Sequence, residues 1–361
     1  MRKLALGGAA LALVVAGCTT VSHLKALQPA AVPSSPPIAP PAVVSPEGNG
    51  AMQRGIDIDA YTYPGQDISG AAFADVAYIT SLHANAVSIS FPFFMSGPSS
   101  STVYATNSTP TPAQLAVLIR DAERAGLYVS IRPLLDETAL GISRVYWSPA
   151  NPDAWFASYR HFLAPYATMA QREHVQQFIV GAEFSMFTDL RHWNALDKAV
   201  RNRFHGTLGC ANNWGPLAFA GDGSGAPFAG NCGQGLRESI DAYHPQHGDL
   251  LAGWERFDSK LPRGTVETEI GIDAVKGAFK RPYQHQWTTA TTLDTSVQAR
   301  WFTAACHAAS REHLGGVYFW PLGFSEQPAT GPTLTYQGAW AGSAGAQAIS
   351  RCFAWLEKSE R

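Results

Sequence analysis

Short apolar runs alternate along this chain with longer segments whose apolar residues recur every three to four positions. The runs are GIDIDAY (55–61), ANAVSISF (84–91), LYVSIRPLL (127–135), VQQFIVGAE (175–183), GTLGCANNW (206–214), SIDAYHP (239–245), GTVETEIGI (264–272) and GGVYFWPL (315–322). They predict eight strands. Helices are expected at 70–82, 112–126, 151–172, 192–204, 294–313 and 344–358, with a fainter pattern at 248–261. The segment TPTPAQLAVLIRDAERAGL carries signals at both ends: Thr111 as N-cap, Pro112 in the first turn and Gly126 just past the last. Strand–helix alternation over roughly 300 residues predicts a single α/β domain with a parallel sheet. Eight repeats in that length match a (β/α)8 TIM barrel. A doubly wound sheet is the rival. Against it, the chain has no Gly-x-Gly-x-x-Gly and no P-loop, and acidic or polar residues end several runs, where barrel enzymes keep their sites.

The seventh run carries two acids, Glu267 and Glu269. Side chains alternate along a strand, so both are expected on one face, inside the barrel. Glu183 ends the fourth run. Strands 4 and 7 lie across a barrel from one another, which would let Glu183 and Glu269 flank one bond held over its mouth. Glycoside cleavage uses such a pair: one carboxyl protonates the leaving oxygen and the other stabilises the anomeric carbon. Glu267 would then lie one layer deeper, where a charge needs a partner. Alternation also points Asp57, Asp59, Arg132 and Asp241 inward. Arg132 is the expected counter-ion of Glu267, in an inner ionic network with Asp57 and Asp241. Glu183 needs a raised pKa to act as an acid, with Ala182 and Phe184 supplying desolvation. Glu269 must stay ionised, and Tyr243 is its expected hydrogen-bond donor.

With these acids in place, the chain resembles the clan A glycoside hydrolases, which carry the acid/base after strand 4 and the nucleophile after strand 7. More closely, it resembles glycoside hydrolase family 113, the β-mannanase family. The resemblance rests on ANAVSIS, TPTPAQLAVLIRDAERAGLYVSIRPLLD, WFASYRHFLAPYA, FIVGAEFS, GCANNW, IDAYHP and ETEIG, in family order over residues 55–275. It implies a retaining hydrolase with Glu183 as acid/base and Glu269 as nucleophile. One position departs from the pattern. Ala182 stands where most clan A enzymes carry an Asn against the sugar 2-hydroxyl, leaving Asn212 or Asn213 to compensate. Trp320, at the end of strand 8, sits where clan A enzymes often place a sugar platform. Trp214, Trp147, Asp136 and Asp59 are further candidates for sugar contacts. The implied substrate is β-1,4-mannan or its oligosaccharides. Two rivals stay open: another β-linked glycan, or a glycan-binding lipoprotein that kept the barrel and lost catalysis.

The N-terminus reads as an export signal. Arg2 and Lys3 precede a short apolar run, Leu4 to Ala16, and the sequence LVVAGC ends at Cys18. This resembles a bacterial lipobox, implying a signal peptide at 1–17, lipidation of Cys18 and a cell-envelope location, at the outer membrane or its periplasmic or extracellular face. A proline-rich tether at 18–50 would join the anchor to a catalytic domain at 51–361. Four cysteines remain beyond Cys18, and an even count in an exported chain suggests two disulfides. Cys210–Cys232 and Cys306–Cys352 are the favoured pairings among three possible connectivities. Lys and Arg total 26 against 28 Asp and Glu, and a net charge of −2 gives no reason to expect nucleic acid. Asp241, His244 and His247 are close in sequence, but no HExxH accompanies them. They read as solvated or substrate-facing, not as metal ligands. No cofactor is expected, and the chain is expected to act as a monomer.

Overall fold

The computed structural model describes residues 51–360 apart from 139, 188, 216–234, 285–292, 327 and 329–336. The signal segment, Cys18, the tether and Cys232 lie outside the described residues. Eight strands form a closed parallel barrel in chain order. They are β1 Gln53–Asp59, β2 Ala86–Phe93, β3 Tyr128–Leu135, β4 Gln177–Ala182, β5 Thr207–Asn213, β6 Arg237–Asp241, β7 Val266–Ile270 and β8 Gly316–Gly323. The α-helices among the described residues are α1 Ile68–Ser81, α2 Pro112–Arg124, α3 Pro152–Arg172, α4 Leu190–Arg201, α5 Leu250–Asp258, α6 Thr295–Arg311 and α7 Ala344–Ser359. The (β/α)8 architecture is thus the one the alternation predicts.

Local chemistry sets the helix ends. Thr111 and Gln114 form a reciprocal cap on α2, the Thr111 hydroxyl accepting from the Gln114 N–H and the Gln114 side chain accepting from the Thr111 N–H at 2.8 Å. Such a cap satisfies two N–H groups the first turn leaves unpaired and stabilises by about 1 kcal/mol. The Cys306–Cys352 disulfide ties α6 to α7, with Cα atoms 6.4 Å apart. Cys210 is also disulfide-bonded.

The sheet divides two interiors. Outward-facing Ile56, Ile58, Val87, Ile89, Val129, Ile131, Phe319 and their neighbours pack under the helices in one large apolar core. Inside the barrel, a lower apolar layer is built from Ala86, Tyr128, Val266 and Tyr318. An upper one is built from Leu134, Ile179, Ala182, Ala211, Tyr243 and Trp320. Between them lies a polar layer in which Arg132, wholly buried, meets Asp241 at 2.9 Å and Asp57 at 3.8 Å.

Alternation breaks on β8, where Phe319 and Leu322 are three apart but face Ile56 and Ile58, two apart on β1, and on two strands that carry site residues. Along β7, Glu267 and Ile270 are three apart but face Val317 and Phe319, two apart on β8. Along β4, Ile179 and Ala182 are three apart but face Gly209 and Ala211, two apart on β5. Each strand carries one extra residue, a bulge that re-aims the side chains beyond it.

Candidate active site

The β7 bulge separates the two glutamates expected to share a face. Thr268 points inward, its hydroxyl donating to Asp241 at 2.9 Å. Glu269 also turns inward, where its carboxylate meets the Arg132 guanidinium and accepts from the Tyr243 hydroxyl at 2.6 Å. Glu267 is driven to the other side of the wall. Its neighbour there is Asp258 on α5, also wholly buried, and burial and the Asp258 charge raise Glu267 well above the carboxylate range. Arg132 is therefore not the counter-ion of Glu267; it serves Asp57, Asp241 and Glu269. The inner ionic network exists without Glu267. The cause is the extra residue in β7, which simple alternation does not include.

Glu183 reaches the mouth by a different device. It follows inward-facing Ala182, so alternation would aim it outward toward the helices. Its backbone is left-handed, with φ 59°. The Glu183 N–H donates to the Ala211 carbonyl at 2.8 Å, tying that turn to β5. A non-glycine residue held in this region costs free energy and persists where neighbouring structure enforces it, often at functional sites. The side chain thereby enters the cleft, where the Asn213 amide donates to its Oε1 at 2.5 Å and Arg144 stands 3.8 Å from its Oε2.

Glu183 and Glu269 line one cavity of about 450 Å³ together with Glu137, Arg144, Tyr146, Asn213, Trp214, Tyr243 and Tyr283. A second cavity of about 570 Å³ adjoins it, lined by Asp59, Tyr61, Tyr63, Asp136, Trp320 and Phe324 among others. Glu269, Arg144, Glu137 and Tyr283 face both. The cleft thus extends to either side of the carboxylate pair.

The two carboxyls are pushed in opposite directions. Burial, the Asp241 charge and the Glu269 charge raise Glu183 to about 8, against the pull of Arg144 and the Asn213 hydrogen bond. Burial also opposes ionisation of Glu269, but Arg132, Arg144 and the Tyr243 hydroxyl outweigh it and hold that carboxyl below the ordinary glutamate value. At neutral pH one carries a proton and the other a charge. Asp57 and Asp59 add no full charge to the crowd: burial raises Asp57 well above the carboxylate range and Asp59 to about 7. Arg132 would otherwise face more negative charge than it can balance.

The remaining expected residues divide. Asp59, Asp136, Asn213, Trp214, Tyr243 and Trp320 all line the two cavities. Trp214 stacks on Tyr283 with ring centres 5.6 Å apart, and Asp136 accepts from the Tyr61 hydroxyl at 2.5 Å. Trp320 lies beneath the cleft with the Arg132 guanidinium 5.9 Å from its ring centre. Asn212 is buried in the barrel wall. Trp147 is not at the rim. It is buried against Trp155, Phe184 and Phe187, with ring centres 4.7–5.5 Å away. Its neighbour Tyr146 is 65% exposed and faces the cleft instead. Arg144–Tyr146 form a single 3-10 turn, so adjacent side chains there diverge. His244 is neither solvated nor substrate-facing: it packs on Phe257 and Trp254, and burial lowers its pKa to about 3. His247 is exposed.

Arg144, Glu137 and Tyr283 escape sequence reasoning because they lie in loops whose course no periodicity fixes. Asp258 had a signal: Trp254, Phe257, Asp258 and Leu261 recur at helical spacing, which puts an acid on an apolar stripe.

Known proteins share this framework. Residues 63–215, from just after β1 through Glu183 and Asn213, match the model of Glycoside Hydrolase Family 113. A solved GH113 β-1,4-mannanase aligns at 16% identity over 84% of this chain and 99% of its own, with a TM-score of 0.70. A GH113 β-mannanase from Alicyclobacillus acidocaldarius, in complex with ManMIm, aligns at 18% identity over 85% and 98%, with a TM-score of 0.69. A family 5 mannosidase from Rhizomucor miehei aligns at 12% identity over 86% and 94%, with a TM-score of 0.51. At such identities the likeness is one of fold. No curated protein sequence matches the chain. Over residues 63–215, which include Glu183, the chain is thus similar to Glycoside Hydrolase Family 113, its closed barrel is the fold of the solved β-mannanases, and the two together support a glycoside hydrolase.

Proposed function

We propose that this hydrolase is an exported β-mannanase that cleaves β-1,4-linked mannan or manno-oligosaccharides with retention of configuration. One observation carries the reading: two carboxyls in one cleft are driven to opposite proton states, Glu183 up to about 8 and Glu269 below its ordinary value. That is the division of labour double displacement requires. In the first step the Glu269 carboxylate bonds to the anomeric carbon, the bond to the leaving oxygen breaks, and Glu183 gives its proton to that oxygen. In the second, Glu183 takes a proton from water, the water oxygen bonds to the same carbon, and the ester to Glu269 breaks. Asn213 and Arg144 steady the charge Glu183 holds between the steps.

The mannan assignment draws on the β-mannanases whose fold this chain shares. Trp320, Trp214, Tyr146 and Tyr283 offer apolar ring faces suited to the C–H face of a pyranose, and Asp59 and Asp136 can accept from sugar hydroxyls. Cys18 is the proposed lipid anchor, holding the enzyme at the cell envelope on a proline-rich tether. The test is a panel of polysaccharides with NMR of the first-released anomer from β-1,4-manno-oligosaccharides. Release of the β-anomer from mannan is expected. Release from glucan alone reassigns the substrate, and binding without release makes the chain a glycan binder.

A further inference from the structure

The loop between β3 and α3 carries a charged pair that sequence reasoning does not reach. One oxygen of Glu137, Oε1, accepts three hydrogen bonds: from the Arg144 N–H at 2.5 Å, from the Ser143 hydroxyl at 3.0 Å and from Arg144 Nε at 3.2 Å. Glu137 therefore fixes both the turn of the loop and the direction of the arginine. The guanidinium is not consumed by this contact. It is held through Nε alone, and its buried Nη1 has no hydrogen-bond partner among the described residues. On its other side Nε stands 3.8 Å from Glu183 Oε2.

We propose that Glu137 and Arg144 are a positioning pair, in which Glu137 splints the loop and Arg144 divides its charge between Glu137 and Glu183, setting how tightly Glu183 holds its proton. The inference rests on Glu183 being the acid/base. Around Glu183 the charged and polar groups come from every side: Asp241 from β6, Glu269 from β7, Asn213 from β5 and Arg144 from the loop. Arg144 is the cation among them that lies outside the barrel. Arg132, the other cation of the site, is committed to Asp241, Glu269 and Asp57 below. Glu137 competes with Glu183 for the same guanidinium, so removing either member of the pair moves the Glu183 titration in opposite directions.

The full chain labelled with carbon-13 at the glutamate carboxyl carbon gives the readout by NMR, with the Glu183 signal assigned by its absence in Glu183→Gln. Arg144→Gln should move the Glu183 titration upward by about one pH unit or more, the usual effect of losing an opposite charge at this distance. Glu137→Gln keeps an acceptor for the loop but removes the competing charge, and should move it downward. Arg144→Lys should restore most of the wild-type value. An unmoved titration in Arg144→Gln, or movement in the same direction in both charge-removing variants, overturns the proposal. Should Arg144→Gln fail to fold, Glu137→Gln decides alone: a downward move supports the pair, and no move or an upward one overturns it. The readout needs no substrate. A chain whose titrations move as stated but which cleaves no glycan keeps the pair and loses the hydrolase reading.

Discussion

Glu267 and Glu269 stand two residues apart on β7 and are almost equally hidden, at 0% and 5% exposure, yet the barrel holds them in opposite proton states. Glu267 meets another acid, Asp258, in a buried seam between sheet and helix. Burial and that neighbour raise it well above the carboxylate range, and burial raises Asp258 to about 8, so the pair keeps a proton. Glu269 meets Arg132, Arg144 and the Tyr243 hydroxyl, and stays charged. Burial opposes ionisation of both; the sign of the partner decides the outcome. A single extra residue in the strand chooses which partner each side chain meets.

The sharpest break of this comparison is Glu269→Gln. It should lower kcat on manno-oligosaccharides by at least about 10⁴-fold while the fold persists, since the proposed nucleophile has no substitute. Glu269→Ala should recover part of its rate with added azide. Next, Glu183→Gln should cost about 10²–10⁴-fold with a sugar leaving group, the range of general acid catalysis, and far less with an aryl leaving group of low pKa. As the proposed acid, Glu183 is protonated below about 8, so activity should fall as pH rises through that value; the variant should lack this limb.

Arg132→Met tests the charged side of the comparison. It strands Asp241 and Glu269 without their buried cation and should destabilise by about 3–5 kcal/mol in urea unfolding. The smallest effect on activity belongs to the neutral pair. Its folded pKa values lie above those of the unfolded chain, so its stabilisation is complete below the unfolded value of about 4 and is lost as pH rises toward the folded one. Unfolding free energy should therefore decline across this window, by no more than about 1.4 kcal/mol per pH unit for each proton. Glu267→Gln should flatten that decline and leave kcat near wild type. A large fall in kcat instead would erase the distinction between the two glutamates.

The barrel itself was legible because its strands are short apolar runs separated by amphipathic helices with end signals such as Thr111 and Gly126. The site was only partly so. The strand ends named Glu183, Glu269, Tyr243 and Trp320 as neighbours of one mouth, since a barrel brings those ends together whatever the loops do. Bulges are invisible to a period-two reading, and so Glu267 was expected inside with Arg132. Loop courses are equally hidden. Tyr146 faces the cleft while the adjacent Trp147 is buried, and nothing in the pattern of residues separates them. Asn213 rather than Asn212 holds Glu183, a choice set by the register of β5 beside β4.

The most direct test of which β7 glutamate does chemistry is to trap the reaction halfway. A 2-deoxy-2-fluoro-mannosyl fluoride slows the second step, leaving the sugar on the nucleophile for peptide mass spectrometry. The account predicts one mannosyl ester, on Glu269. A sugar on Glu267 or Glu183, or rapid turnover with inverted configuration and no ester, would contradict it.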